Sequence, residues 1–177
     1  TAQTYSISGK IHRHNLSPVE DFELMLSFDN QTFSINPNEA GEFVLSDIPA
    51  GSEVTLSYEV SFSPFEGVTI LDQLVGRDWV LQVLQNASPI QALAGDLNNS
   101  GEGSLGGALV GVDLLMINRL ALQMDPEIPV ENKWLLVPTD FNLEENAVPN
   151  SFGFQVNEDI ENLDFVAVKR GDLALEP

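Results

Sequence analysis

The sequence predicts an α+β chain: a small antiparallel β-sandwich, then a pair of loop-helix repeats, then closing C-terminal strands. Three observations lead there. Residues 5–60 hold five short runs of alternating apolar and polar residues, separated by turn-forming residues. Residues 69–85 and 110–123 carry apolar residues at helical spacing. These two segments also repeat one another at an offset of 41 residues, Asp72-Gln73-Leu74-Val75 aligning with Asp113-Leu114-Leu115-Met116 and Leu81 with Leu122.

The strands come first. Tyr5, Ile7 and Ile11 alternate around Gly9, and Phe22, Leu24, Leu26 and Phe28 alternate with Glu23, Met25 and Ser27. Thr32 to Ile35, Glu42 to Leu45 and Val54 to Tyr58 follow, with Asp29-Asn30, Asn36-Pro37-Asn38, Ala40-Gly41 and Pro49-Ala50-Gly51 as turns between them. Short strands at this spacing are the pattern of a sandwich. The first helix is expected over 69–85, with Thr69 as N-cap and Asp72 in the first turn, where the helix dipole favours a carboxylate. Its apolar side would hold Ile70, Leu74, Leu81 and Leu84. The second helix, with Val112, Met116, Leu120 and Met124 at i+4 spacing, is apolar nearly all round and is expected to be the more buried. Two more strands are expected at 133–137 and 165–170, joining the first sheet or capping the helices. The domain boundaries predicted are 1–60, 61–125 and 126–177.

Composition narrows the function. The chain has 177 residues, 43% hydrophobic and 19% charged, so it can bury a core. Seven Lys+Arg face 27 Asp+Glu, a formal net charge of -20. Nucleic acid requires basic surface to neutralise phosphates and is therefore set aside as a partner. No apolar run approaches the roughly 20 residues of a membrane span, so no membrane insertion is expected. Cysteine is absent, which removes disulfide and thiol chemistry. The chain begins at Thr1 without a basic-then-apolar leader, as expected of a mature or excised piece.

The stretch 95–124 carries the chemistry. Asp96, Asn98 and Ser100 occupy positions one, three and five of a loop, Gly101 stands at six, and Glu102 at seven would offer its backbone carbonyl. Alternating oxygen donors with a turn-permitting Gly at the sixth position are what a calcium loop requires. The twelfth position is Gly107, so the closing carboxylate is displaced to Asp113, past a glycine-rich insertion. A calcium site formed by Asp96, Asn98, Ser100, Glu102 and Asp113 is the first reading; an Asx-turn that merely caps the helix is the other. The first repeat lacks such a loop, since Ser61, Ser63 and Phe65 stand at the corresponding places. Gly171-Asp172-Leu173 echoes Gly95-Asp96-Leu97, so the C-terminus could lend the missing half-loop, with Asp172 and Asp72 as ligands, although Ala174 and Leu175 supply no side-chain oxygen.

Two resemblances follow from these motifs. Ser8-Gly9-Lys10-Ile11, Asn38-Glu39-Ala40-Gly41-Glu42-Phe43 and Leu45-Ser46-Asp47-Ile48-Pro49-Ala50-Gly51 resemble a carboxypeptidase-regulatory-like, or prealbumin-like, β-sandwich. The remainder resembles the dockerin-like type I repeat region of large secreted or cell-surface proteins of Bacteroidetes. The pieces that carry this likeness are Gly67-Val68-Thr69-Ile70-Leu71-Asp72, Gly95 to Gly101, Lys133-Trp134-Leu135-Leu136-Val137 and Asp164 to Asp172. The resemblance implies a non-enzymatic, calcium-binding extracellular module with a structural, protein-docking or adhesion role. It implies a protein partner at the cell surface or a neighbouring module of the same chain. Cohesin is not the expected partner, because Val110-Gly111 and Ile70-Leu71 stand where a polar pair would be needed. The alternative is a glycan-binding accessory module of a secreted hydrolase. Enzymatic readings find little support: there is no Gly-x-Ser-x-Gly elbow and no phosphate loop ahead of a helix. His12 and His14 would lie on one face of a strand with no third ligand nearby.

Overall fold

The computed structural model describes residues 3–19, 22–60, 63, 65–83, 87–98, 109, 111–124, 133–143 and 148–175. Eight strands and three helices occur among them, in the order β1 (Thr4–His12), β2 (Phe22–Phe28), β3 (Gln31–Ile35), β4 (Glu42–Pro49), β5 (Ser52–Val60), α1 (Ile70–Val80), α2 (Pro89–Gly95), α3 (Gly111–Ala121), β6 (Trp134–Pro138), β7 (Ser151–Val156) and β8 (Phe165–Lys169). The strands form two four-stranded sheets, ordered β4-β1-β8-β6 and β3-β2-β5-β7.

The α+β expectation is thereby corrected: among the described residues the chain is mostly β, with three short helices. Two physical causes account for the difference. Each long helix stops early, because Gln82 and Gln123 adopt left-handed backbone (φ +60° and +55°) and turn the chain out of the helix. At both ends the reversed amides bond back in the two-bond Schellman pattern: Gln82 N to Trp79 O and Val83 N to Asp78 O, Gln123 N to Leu120 O and Met124 N to Arg119 O. The apolar spacing continues past both points, which is why the helices looked longer in the sequence. The C-terminal third adds β to existing sheets, with β7 pairing antiparallel to β5 and β8 pairing parallel to β1. The sheets are therefore not wholly antiparallel.

By compactness the chain divides into two units, Thr1–Ser61 with Leu136–Thr139 and Pro149–Ala167, and Phe62–Leu135 with Asp140–Val148 and Val168–Pro177. In the first, period-two patterning works as expected. Phe22, Leu24 and Leu26 of β2 point inward while Glu23 is exposed. Val54, Leu56 and Tyr58 of β5 are buried beside them, in register Leu24 to Tyr58 and Leu26 to Leu56. The β2–β3 hairpin closes through Asp29 and Asn30, both at positive φ, as a two-residue turn of this hand requires. Phe165 of one sheet meets Phe152 of the other at 5.1 Å and Phe43 of its own sheet at 6.3 Å, filling the core.

The second unit holds the helices. The buried positions of α1 are Asp72 and Gly76; those of α3 are Asp113, Ile117 and Leu120. Ile70, Leu74 and Leu81, expected on the packed side, are exposed, as are Val112 and Met124. α3 is therefore not buried all round. Gly76 allows close approach, since a Cβ there would lie 3.0 Å from Leu114 and 3.1 Å from Leu173. The short α2 was not anticipated; its signal is the capping box Ser88-Pro89-Ile90-Gln91, in which Ser88 and Gln91 bond each other's backbone amides. Among the described residues no helix is long and apolar enough to cross a membrane.

The first unit gives a direct test of close packing. A Cβ at Gly9 would lie 2.0 Å from the carbonyl oxygen of Leu163, whose segment is pinned to β1 through Leu163 N to Ser8 O and Ile160 N to Ser6 O. Gly9→Ala is expected to destabilise by about 2–3 kcal/mol, lowering the melting temperature by roughly 5–10 °C. A shift under about 1 °C in calorimetry would show that the backbone yields freely there.

Candidate functional site

All five described candidate ligands lie in the second unit, and four are buried carboxylates. Asp72 and Asp113 are fully enclosed, with Asp96 and Asp172 nearly so. Ser100, Glu102 and residues 103–108 of the glycine-rich insertion fall outside the described residues, as does Leu84 of the first helix's expected apolar side; Leu109, which ends the insertion, is buried. The remaining candidates separate into two halves of one design.

In one half, the loop after α2 meets α3. Asp96 is the C-cap of α2, and Leu97 N bonds back to Gly95 O at 3.0 Å. Two residues after Asp96, the Asn98 amide donates to Asp113 Oδ1 at 3.1 Å. The helix carboxylate thus reaches the start of the loop even though the intervening segment is long. In the other half, the C-terminal tail meets α1. Leu173 N bonds back to Gly171 O at 3.2 Å, and two residues after Asp172 the Ala174 amide donates to Asp72 Oδ1 at 2.7 Å. The two clasps match position for position, and α1 and α3 themselves match at the same 41-residue offset from first residue to last.

Asp72 also caps its own helix. Its Oδ2 accepts from Thr69 N at 2.6 Å and Thr69 Oγ1 at 3.1 Å, while Thr69 Oγ1 accepts from Leu71 N, so the carboxylate caps its own helix while clasping the tail. Asp172 Oδ1 in turn accepts from Leu175 N at 2.9 Å, closing the tail's turn. The tail is held further by Gln91 Nε2 donating to Leu173 O at 2.9 Å and Gly171 N donating to Ala94 O at 2.7 Å.

Two buried cations lie in the same unit. Lys169 and Arg170 are buried, at 3% and 6% exposure. Arg170 Nη1 donates to the carbonyl oxygen of Asp96, and Lys169 Nζ donates to Arg170 O at 3.3 Å. The only signal in the sequence is that two adjacent cations directly precede Gly171-Asp172. Burial lowers the Lys169 ammonium to about 8; Lys133 pushes the same way, and Asp172 and Glu66 oppose it.

The donor set can be tested against calcium, which takes six to eight oxygens. The α3 half offers hard oxygen donors at Asp96, Asn98 and Asp113, three of the six to eight that calcium takes. The α1 half offers Asp72 and Asp172 but carbon at Ala174 and Leu175, and does not fit a site of its own. Among the described residues no three His, Cys, Asp or Glu side chains gather as a metal-holding group. His12 ends β1 and its Nδ1 faces Arg13 O at 2.8 Å, while His14 lies in the following turn, so the two imidazoles do not share a strand face. Comparison with known proteins returns no matching family model, no matching curated protein and no matching solved structure.

Two stability predictions follow from the clasps. Asp72→Ala leaves the Thr69 and Ala174 amides without their acceptor and is expected to cost about 3–4 kcal/mol in urea denaturation, with Asp72→Asn costing roughly half. A loss below about 1 kcal/mol for Asp72→Ala would mean that the clasp is not stabilising. Lys169 sets a pH dependence. The unfolded chain holds its proton up to about 10.5 and the folded chain only to about 8, so between these values unfolding takes up a proton and stability rises with pH. Wild type should gain about 2–3 kcal/mol relative to Lys169→Met between about pH 7 and pH 10; parallel stability curves for the two proteins would refute this.

Proposed function

We propose that this chain is a non-enzymatic, calcium-binding extracellular module of the dockerin-like kind, serving a structural or protein-docking role in a larger secreted or cell-surface protein. The observation that carries the reading is the duplicated clasp. Two helices of equal length each place an aspartate at the same inward position, and each carboxylate takes the amide two residues past a loop aspartate. A loop tied to a helix through such a carboxylate is the framework on which oxygen ligands close around a hard cation. Calcium would be held by Asp96, Asn98, Ser100, the Glu102 carbonyl and Asp113. The charge inventory points the same way. Among the described residues the buried charges are four aspartates against Lys169 and Arg170, a formal excess of two negative charges. Carboxylate oxygens held out of water are the ligand type a hard divalent cation takes.

The docking role is supported by the outer face of the helices. Leu71 and Val112, Leu74 and Leu115, and Leu81 and Leu122 are matched pairs under the repeat, and all six are exposed. Single exposed apolar residues are ordinary, but a set duplicated on two packed helices is a surface suited to burial against another protein.

The test is thermal melting in calcium against chelator. An extracellular-type site at about ten times its dissociation constant would stabilise the fold by about 1.4 kcal/mol, a shift of roughly 3–6 °C. Asp96→Ala and Asp113→Ala should each abolish that shift. A wild-type melting temperature that ignores both calcium and chelator would overturn the calcium reading.

A further inference from the structure

We propose that the outward stripes of α1 and α3 pair two copies of this chain through a two-fold interface, with α1 of each copy against α3 of the other. The inference rests on the docking reading above and names the partner. Leu71, Leu74, Asp78 and Leu81 follow one another at spacings of three and four residues along α1 and the residue just past it, so they share one side of the helix. The 41-residue repeat carries this stripe to α3 as Val112, Leu115, Arg119 and Leu122. The six apolar members are between 37% and 63% exposed, and α1 and α3 pack on each other. The repeat keeps every apolar position and inverts the sign of the single charged one.

That inversion points to a second copy. A two-fold interface meets its own surface, so whatever α1 presents must suit α3 of the partner copy, and the reverse holds at the same time. Apolar positions suit each other directly. The charged position suits itself only when the two helices carry opposite signs there, as Asp78 and Arg119 do. Arg77 donates to Asp78 through Nε at 3.0 Å and Nη2 at 2.8 Å, but both bonds end on Oδ1, and the Asp78 side chain stays 42% exposed. Local charge agrees. The chain carries -20, yet Asp72 and Asp113 are buried, and the outward charges of these two helices are Arg77, Asp78 and Arg119, two positive against one negative for +1. Two copies meeting here avoid the repulsion that opposes contact between acidic surfaces. Six side chains of this exposure present on the order of 600 Å², the upper end of what the largest patch on a monomer shows. Two copies together reach about 1,200 Å², where specific interfaces begin.

The experiment is sedimentation velocity on the whole 177-residue chain, in calcium chloride and again in chelator, with a melting curve for every protein. An interface of this area is expected to give a dissociation constant on the order of 10 μM, so wild type should pass from monomer to dimer between about 1 and 300 μM. Leu74→Glu and Leu115→Glu should each weaken pairing at least about tenfold while melting within about 2 °C of wild type, since both leucines are exposed. Asp78→Arg and Arg119→Asp should each stay monomeric alone, because like charges then meet at both contacts of the dimer. Mixed in equal amounts they should pair, because each contact again joins opposite signs. That rescue on mixing is a result that neither a different partner nor a merely structural role of these residues produces. A wild-type dimer that ignores the substitutions, or charge variants that stay monomeric when mixed, overturns the proposal. A wild type still monomeric at about 300 μM, with leucine variants that melt as it does, overturns self-pairing and leaves docking to a different protein standing. A monomeric wild type whose leucine variants melt more than about 5 °C lower overturns both, because those leucines are then packed within the chain.

Discussion

The second unit depends on a carboxylate placed where water cannot reach it. An enclosed aspartate is tolerable only when its oxygens are met by donors, and here the donors are backbone amides that themselves need acceptors. Asp72 takes the Thr69 and Ala174 amides, and Asp113 takes that of Asn98. This single requirement orients both helices. Once Asp72 and Gly76 face inward, one turn apart, Leu71 and Leu74 are turned outward by helix geometry. The apolar face that a soluble helix ordinarily buries is thus presented to the surroundings, because the inward face is committed to the clasp.

The two halves share a design but not a chain path. In one, the loop precedes its helix in sequence. In the other, the matching segment is the C-terminal tail, 102 residues beyond Asp72. The tail carries out the same local steps: a bond from Leu173 N to Gly171 O, then an amide to the helix carboxylate. It also inserts Leu173 against Gly76 and Gly95, where any larger residue would intrude. A long chain closure is entropically affordable, since its cost grows only with the logarithm of loop length. The tail is consequently part of the core of this unit.

The same tail brings positive charge inside. Lys169 and Arg170 are buried, and burial shifts Lys169 toward its neutral form against the pull of Asp172 and Glu66. A chain of net charge -20 thus buries two of its seven basic residues side by side, where both donate to backbone carbonyls. Through Arg170, the end of the strand that delivers the tail is tied to the Asp96 backbone.

Much of this was written in the sequence. Period-two alternation placed the five N-terminal strands, because inward and outward residues must alternate on a pleated strand. Asp29-Asn30 marked a hairpin, because few residues accept positive φ. The 41-residue repeat, with Asp at each helix start, set out two equivalent helices, and the echo of Gly95-Asp96-Leu97 in Gly171-Asp172-Leu173 pointed to the tail. The sequence could not show where the helices end, since their apolar spacing runs on past Gln82 and Gln123, and the stop lies in backbone dihedrals. Nor could it show which helix face turns inward: hydrophobicity favoured the leucines, while hydrogen-bond satisfaction of Asp72 and Asp113 decided otherwise. The partnership of Arg170 with Asp96 was out of reach for a simpler reason. It joins a side chain to a backbone carbonyl 74 residues away, and backbone carbonyls leave no trace in the identity of a residue.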